Sequence, residues 1–431
     1  MLKIAIIGFG NAGFQALKAI RERDKEAEIH VYSDNEYPPA NPMLTTYYVK
    51  ESIPFTAMFP HGSMEHIGKE NRAHFHMKKP VYRIEGDTRT LIFEDGSREC
   101  FDRILIATGA APFVPSPAWK KMEQVMVMRT PEDAMRLKSR LDAGGVRSIL
   151  VVGASMIGIK IAELAGMRGI ACTMVDGAPY MFPLAAFRST ADRIQEFLIN
   201  KGTGLAFSAL LSDICEEPDG TVAAVMKDGR RFTADLVLVC IGTRANTGCV
   251  KDSGIAVNKG IVIDRDMRTS CEGIYAAGDC AEGYELQSGE RRVIGLWANA
   301  GYQGRTAGIN MTGGSSTFDF TLLCNISHFM GMDFIGLGDA SRYREDDEVY
   351  EYEASGLYLK ASKKGSDIHC INMLGGGEVC GIIKNYFMKL LTGCRTGLET
   401  ENFGILQGAG VPKEFISFLG GGYSCIQRKS C

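Results

Sequence analysis

Two stretches of this chain share one grammar. KIAIIGFGNAGFQALKAI at residues 3–20 and SILVVGASMIGIKIAE at 148–163 each run from an apolar strand pattern through a glycine turn into a helical pattern. Such a run folds as a parallel strand, a tight turn and a helix. In G-x-G-x-x-G the first glycine makes the turn and the second lets backbone approach a pyrophosphate. The third packs helix on strand, and the helix N-terminus supplies positive potential. Gly8, Gly10 and Gly13 fit this pattern in full, whereas the second copy keeps Gly153 and Gly158 but carries Ser155 at the middle place. A Cβ there crowds a pyrophosphate, although a serine hydroxyl could donate a hydrogen bond to it. A working and a weakened second cradle both remain open.

The repeat extends beyond the turns. TLIFEDGSRECFDRILIATGA reads as a hairpin turning at Asp95-Gly96 and a buried strand ending at Thr108-Gly109. AAVMKDGRRFTADLVLVCIGT repeats this, turning at Asp228-Gly229 and ending at Gly242. Two related dinucleotide domains are therefore expected, an α/β architecture. After about residue 317 antiparallel strand patterns and one helix, KNYFMKLLTG, predict a third, α+β domain. An acid that ends the second strand of such a unit holds ribose hydroxyls. Asp176 stands there in the second unit with no arginine directly behind it, so a 2′-phosphate is repelled and NADH is preferred over NADPH. In the first unit the place is Ser33, with Asp34 and Glu36 beyond.

Composition narrows the class. Lysine plus arginine, 48, against aspartate plus glutamate, 51, gives a net charge of −3, so neither nucleic acid nor an anionic membrane is expected as partner. The 13 cysteines form no C-x-x-C and no regular framework, which argues for a reducing, cytoplasmic setting rather than a disulfide scaffold. No window approaches the roughly 20 apolar residues of a membrane span. The cysteine spacings match no zinc or iron–sulfur pattern, so no metal site is expected. His61, His66, His74 and His76 read as solvated loop residues.

ILIATGAAPFVP (104–115), IYAAGDCAEG (274–283) and LWANAGYQGRTAGIN (296–310), in register with the two turns, resemble the FAD- and NAD-dependent pyridine nucleotide–disulfide oxidoreductases. The branch is that of rubredoxin and ferredoxin reductases, NADH oxidases and nitrite reductase flavin domains. The resemblance implies two Rossmann-like domains of glutathione-reductase type. FAD would lie on a discontinuous domain of residues 1–115 and 246–316, NADH on 116–245, and the α+β domain would span 317–431. Gly8, Gly10, Asn11 and Ala12 would cradle the FAD pyrophosphate, with Thr108 and Gly109 lining the cofactor. Asp279, with backbone around Gly278, would reach the ribityl chain, and Trp297 and Ala300 would lie near the isoalloxazine. Val81 on the FAD side and Ile157 and Gly242 on the NAD side complete the candidate set. The expected acceptor is a rubredoxin- or ferredoxin-like protein or a partner subunit. Oxygen or quinone reduction and a flavin subunit with a degenerate NAD site are the alternatives, and the tail is a candidate homodimer surface.

Three departures shape the chemistry. The segment EYPPANPMLTTYYVKES (36–52) lacks the reactive cysteine of disulfide-reducing members. Lys160 replaces a glutamate that many members place two residues after the last NAD-turn glycine, and Thr45 and Thr46 stand where ferredoxin-reductase types place a lysine. Lys160 is the candidate catalytic residue, supplying positive charge near the reduced flavin; the alternative is a lysine snorkelling from a helix surface.

Overall fold

A computed structural model describes residues 1–319, 321–393 and 402–420. The apolar run Lys3–Ile7 forms the middle strand of a five-stranded parallel sheet, with Glu28–Tyr32 and His74–His76 on one side and Arg103–Ile106 and Ile274–Ala276 on the other. Ile4, Ala5 and Ile6 are fully buried, as a parallel strand covered on both faces requires. The strand at 274–276 returns to the sheet opened by residue 3, so this domain is assembled from both sides of the second unit. Helix α1 (Asn11–Arg23) leaves the first glycine turn. Two short helices, α2 (Thr45–Val49) and α3 (Met64–Asn71), occupy the excursion before His74.

The second sheet repeats the plan in the order Gly204–Ala206, Ala171–Val175, Ser148–Val152, Leu236–Val239, Val125–Met126. Helix α4 (Pro131–Asp142) starts on a capping box between Thr130 and Asp133, with Pro131 at its first position. Helix α5 (Met156–Met167) leaves the second glycine turn, and α6 (Arg188–Asn200) follows. Each unit carries an antiparallel three-stranded meander, at 81–100 and 211–234. Their tight turns use Gly96 and Gly229 at φ of +78° and +88°.

Helix α7 (Trp297–Met311) packs along α1. The two helices approach so closely that a Cβ on Gly304 would lie 2.1 Å from the Ala12 carbonyl oxygen. The last domain is a five-stranded antiparallel sheet, ordered Cys324–Phe329, Met332–Gly338, Asp367–Leu374, Leu357–Lys364, Glu348–Ala354, with α8 (Cys380–Leu391) against it. Among the described residues no helix is long and apolar enough to cross a membrane.

Candidate functional site

The first glycine turn is built as a cradle. A Cβ on Gly8, which sits at φ +96°, would lie 2.2 Å from the Ala107 oxygen, and one on Gly13 would lie 2.2 Å from the Gly8 oxygen. These two glycines are fixed by packing. Gly10 is different: nothing lies within 4 Å of the place its Cβ would take. That open face, at an N-cap with no side-chain hydrogen bond, leaves first-turn amides of α1 available to an anion. The cradle fits a pyrophosphate.

Several candidate residues converge on this turn. Asn11 Nδ2 donates to the Trp297 carbonyl at 2.6 Å, tying the N-termini of α1 and α7 together. Its Oδ1 therefore accepts, and the partner is His61 Nε2 at 2.9 Å, which fixes the Nε2–H tautomer of that imidazole. The ring stacks on Phe14 at 4.0 Å between centroids. Burial and the nearby Lys18 lower the His61 pKa below its ordinary 6.5. Gly278 faces Ala12 and Ala300, 3.1 and 3.5 Å from its would-be Cβ to theirs, and its amide donates to Gln303 Oε1 at 2.8 Å. Thr108 and Asn246 exchange two hydrogen bonds, from Thr108 Oγ1 at 2.6 Å and Asn246 Nδ2 at 2.9 Å. Gly109 follows at φ +67° with open space where a Cβ would point.

Asp279 carries a partner from the other nucleotide unit, because Arg129 Nη2 donates to its carboxylate at 2.6 Å with both side chains about four-fifths buried. At the far end of strand Glu28–Tyr32, Asp34 is exposed and Glu36 pairs with Lys78 at 2.6 Å. Val81 packs, partly buried, against the core of the first unit.

The second turn has the same frame and a different mouth. Cβ atoms on Gly153 and Gly158 would lie 2.4 Å from Cys240 O and 2.3 Å from Gly153 O. Ser155 is the N-cap of α5, and its Oγ accepts from the Gly158 amide at 3.2 Å. One N–H that a phosphate could use is thus already occupied, and the serine hydroxyl hydrogen remains free to donate. Ile157 packs against the domain core. Asp176 accepts from the Ala154 and Ala178 amides, each at 2.7 Å, so its carboxylate ties the second turn to the loop that follows its own strand. Gly242 lies between the strands Leu236–Val239 and Thr243–Ala245, at φ +99° with open space beside it.

Between the units lies a buried charge cluster. Lys160 is 3% exposed, so it does not snorkel from the helix surface. Its Nζ makes a close contact to the His328 carbonyl of the C-terminal domain and lies 3.3 Å from Tyr47 Oη and 3.7 Å from Glu163. Lys50 reaches the same carboxylate at 2.7 Å, and Glu163 also accepts from the Met330 amide at 2.9 Å. Both ammonium groups lie over the Tyr47 ring, at 4.5 and 5.0 Å from its centre. Two buried cations thus share one carboxylate. On α2 the buried Thr46 Oγ1 has no protein partner among the described residues.

Arg129, His61, Asn246, Gln303, Lys50 and Glu163 were not legible as site residues. Arg129 had the clearest signal, since it directly precedes the Thr130–Asp133 capping signature and is carried to the domain boundary by it. The expectation of solvated histidines fails for two of the four, His61 and His76. His61 is stacked and bonded, and His74 and His76 lie on a sheet strand, His76 stacked on Tyr32 at 4.5 Å. His66, with 61% of its side chain exposed, and His74 on its edge strand are surface residues. Cys172, Cys240 and Cys249 are buried, which pushes their thiols up to about 12, and Cys280 is fully buried. Cys370 lies inside the C-terminal sheet and Cys380 heads α8, whereas Cys394, Cys425 and Cys431 lie outside the described residues.

Two dinucleotide cradles on Rossmann-like units that face one boundary define a flavin oxidoreductase fed by a pyridine nucleotide. Residues 2–304 match the pyridine nucleotide-disulphide oxidoreductase family, and the chain belongs to it. It is an NAD(P)H-dependent flavin oxidoreductase using FAD. The chain is 28% identical to an NADH oxidase of Methanocaldococcus jannaschii over 78% of this chain and 76% of the relative. It is 26% identical to the NADH-dependent phenylglyoxylate dehydrogenase subunit epsilon of Aromatoleum evansii, over 83% of this chain and 85% of that subunit. Its fold superposes on the reductase of a covalent putidaredoxin reductase–putidaredoxin complex with a TM-score of 0.82, at 21% identity, over 95% and 99% of the two chains.

Proposed function

We propose that the chain takes hydride from NADH, in preference to NADPH, and passes electrons through FAD to a protein acceptor, either a small redox protein or a partner subunit. Bound FAD supplies the hydride-accepting and single-electron chemistry that side chains lack. The amides of α1 and the open face of Gly10 hold its pyrophosphate. Asn11, Gly278, Gln303 and the Arg129–Asp279 pair fix the neighbouring segments. Asp176 braces the second turn and sets a negative charge against a 2′-phosphate. Lys160, with Lys50, places buried positive charge at the boundary where the two units meet, and so favours the anionic reduced cofactor.

One observation carries the choice of acceptor: the sequence has no cysteine between residues 1 and 99. The segment 36–52, where the family resemblance places a reactive cysteine, offers Thr45, Thr46 and Tyr47 instead. Peroxide or disulfide chemistry through a cysteine sulfur has no nucleophile there. A curated relative that is itself named a subunit of a dehydrogenase supports the partner-subunit form.

The test is steady-state NADH consumption by the purified flavoprotein in air, with and without added rubredoxin or ferredoxin. Turnover that needs the carrier supports the proposal. Rapid oxygen consumption without it makes the chain an oxidase. Lys160→Met is expected to lower the flavin midpoint potential and slow flavin reduction; an unchanged potential removes Lys160 from the account.

A further inference from the structure

The outer edge of the first sheet carries a histidine cluster that the redox site does not use. Side chains two apart on a strand share a face, so Glu28, His30 and Tyr32 point the same way. The parallel register sets His30 opposite His74 and Tyr32 opposite His76. Ligand atoms of Glu28, His30 and His74 all lie within 4.8 Å of one another. His30 is 9% exposed, and Glu28 Oε1 lies 2.8 Å from its Nε2. On the other side of the ring, His30 Nδ1 lies 3.0 Å from His76 Nε2.

We propose that Glu28, His30 and His74 bind a borderline divalent transition-metal ion such as Zn2+ or Co2+, with water completing the shell. Bonds of about 2.0–2.1 Å in a tetrahedral shell set donors about 3.3 Å apart. Glu28 and His30 must therefore separate by about half an ångström. The adjustment falls on Glu28, whose side chain is 38% exposed, and on the exposed His74, while the buried His30 stays in place. The outer shell is already present. An ion on His30 Nε2 fixes the ring proton on Nδ1, which then donates to His76 Nε2, the arrangement that orients a metal-bound imidazole. His76 in turn is held by stacking on Tyr32. The second carboxylate of the cluster, Glu99, is engaged by Lys3 at 3.1 Å and by Tyr32 Oη at 2.7 Å. Glu28 keeps its charge for the ion.

Glu28 and His30 sit in the first half of their strand, away from Ser33 at its cofactor end. The ion would clasp the three-residue edge strand His74–His76 to its neighbour, a structural role.

The experiment uses the full-length, tag-free flavoprotein, stripped with chelator and titrated with Co2+ by equilibrium dialysis, visible d–d absorption and thermal midpoint. One Co2+ per chain with tetrahedral absorption and a raised midpoint is expected. His74→Ala and Glu28→Gln should each weaken that binding by about tenfold or more. His66→Ala, on an exposed helix, should leave it unchanged. Flavin content and flavin reduction by NADH verify that each variant is folded. Absence of bound Co2+, or binding and thermal shift unaltered in both His74→Ala and Glu28→Gln, overturns the proposal.

Discussion

Ser155→Gly tests whether the second cradle is held back by its own cap. In the structure Ser155 Oγ takes the Gly158 amide at 3.2 Å, and its Cβ occupies the face that Gly10 leaves open in the first cradle. Glycine at this position frees both. The backbone there, φ −96° and ψ 175°, is ordinary extended geometry, so glycine relieves no strain. Replacing a serine N-cap by glycine costs a few tenths of a kcal/mol in all, chain freedom included. A backbone amide donating to a charged phosphate contributes about 1.5–3 kcal/mol. At the low end, NADH binds about tenfold more tightly to Ser155→Gly, with a thermal midpoint lower by only a few degrees. Ser155→Ala separates the terms: it loses the cap, about 1 kcal/mol, but keeps the Cβ, so it gains less affinity. The assay is anaerobic NADH titration of the yellow protein, read as flavin bleaching beside nucleotide fluorescence. Weaker NADH binding by Ser155→Gly in an intact flavoprotein refutes the reasoning and makes the hydroxyl a phosphate donor.

Three further outcomes follow from the geometry. Arg129→Met leaves the mostly buried Asp279 without its partner across the domain boundary; a lower thermal midpoint and faster FAD loss on dilution are expected, measured by flavin fluorescence. Asp176→Ala removes the hydrogen bond to the Ala154 amide of the second turn, the local bond to Ala178, and the charge facing a 2′-phosphate. NADH affinity should fall by about tenfold or more while discrimination against NADPH shrinks, read from the ratio of kcat/KM values. The pKa values of His61 and His76 are both lowered by burial, so the unfolded chain takes up protons that the native one refuses. Native stability therefore falls as pH drops below about 6.5. His61→Gln should flatten the decline in thermal midpoint between about pH 7 and about pH 5.5.

Both cradles were legible because strand, glycine turn and helix are contiguous in the chain. Gly8, Gly13, Gly153 and Gly158 sit where a Cβ would strike backbone, and a strand that ends in such glycines can fold in few ways. Turns at Asp95-Gly96 and Asp228-Gly229 were legible for the same reason. What escaped was long-range. Arg129 meets Asp279 across 150 residues, and His61 meets Asn11 across 50; no short motif records either pairing. Lys160 was noticed for its position, yet its burial follows from the hairpin near His328, supplied by a separate domain 168 residues away. Strand Asp367–Leu374, the middle of the C-terminal sheet, was also missed. Its apolar run DIHCINML lacks the alternation of a half-exposed strand because one face packs on α8 and the other meets Ala185 and Phe187 of the second unit. The surroundings of His61 and His76 escaped because the short patterns PHG and HFH carry no periodicity that separates an edge strand or a packed turn from a solvated loop.

The central claim is that two cradles bring NADH and FAD together for hydride transfer. Rapid anaerobic mixing of the flavoprotein with NADH, and separately with NADPH, tests it most directly through the visible flavin band. The account predicts prompt bleaching by near-stoichiometric NADH and much slower bleaching by NADPH. Flavin that neither nucleotide reduces would contradict it, and would leave the Ser155 turn without its task.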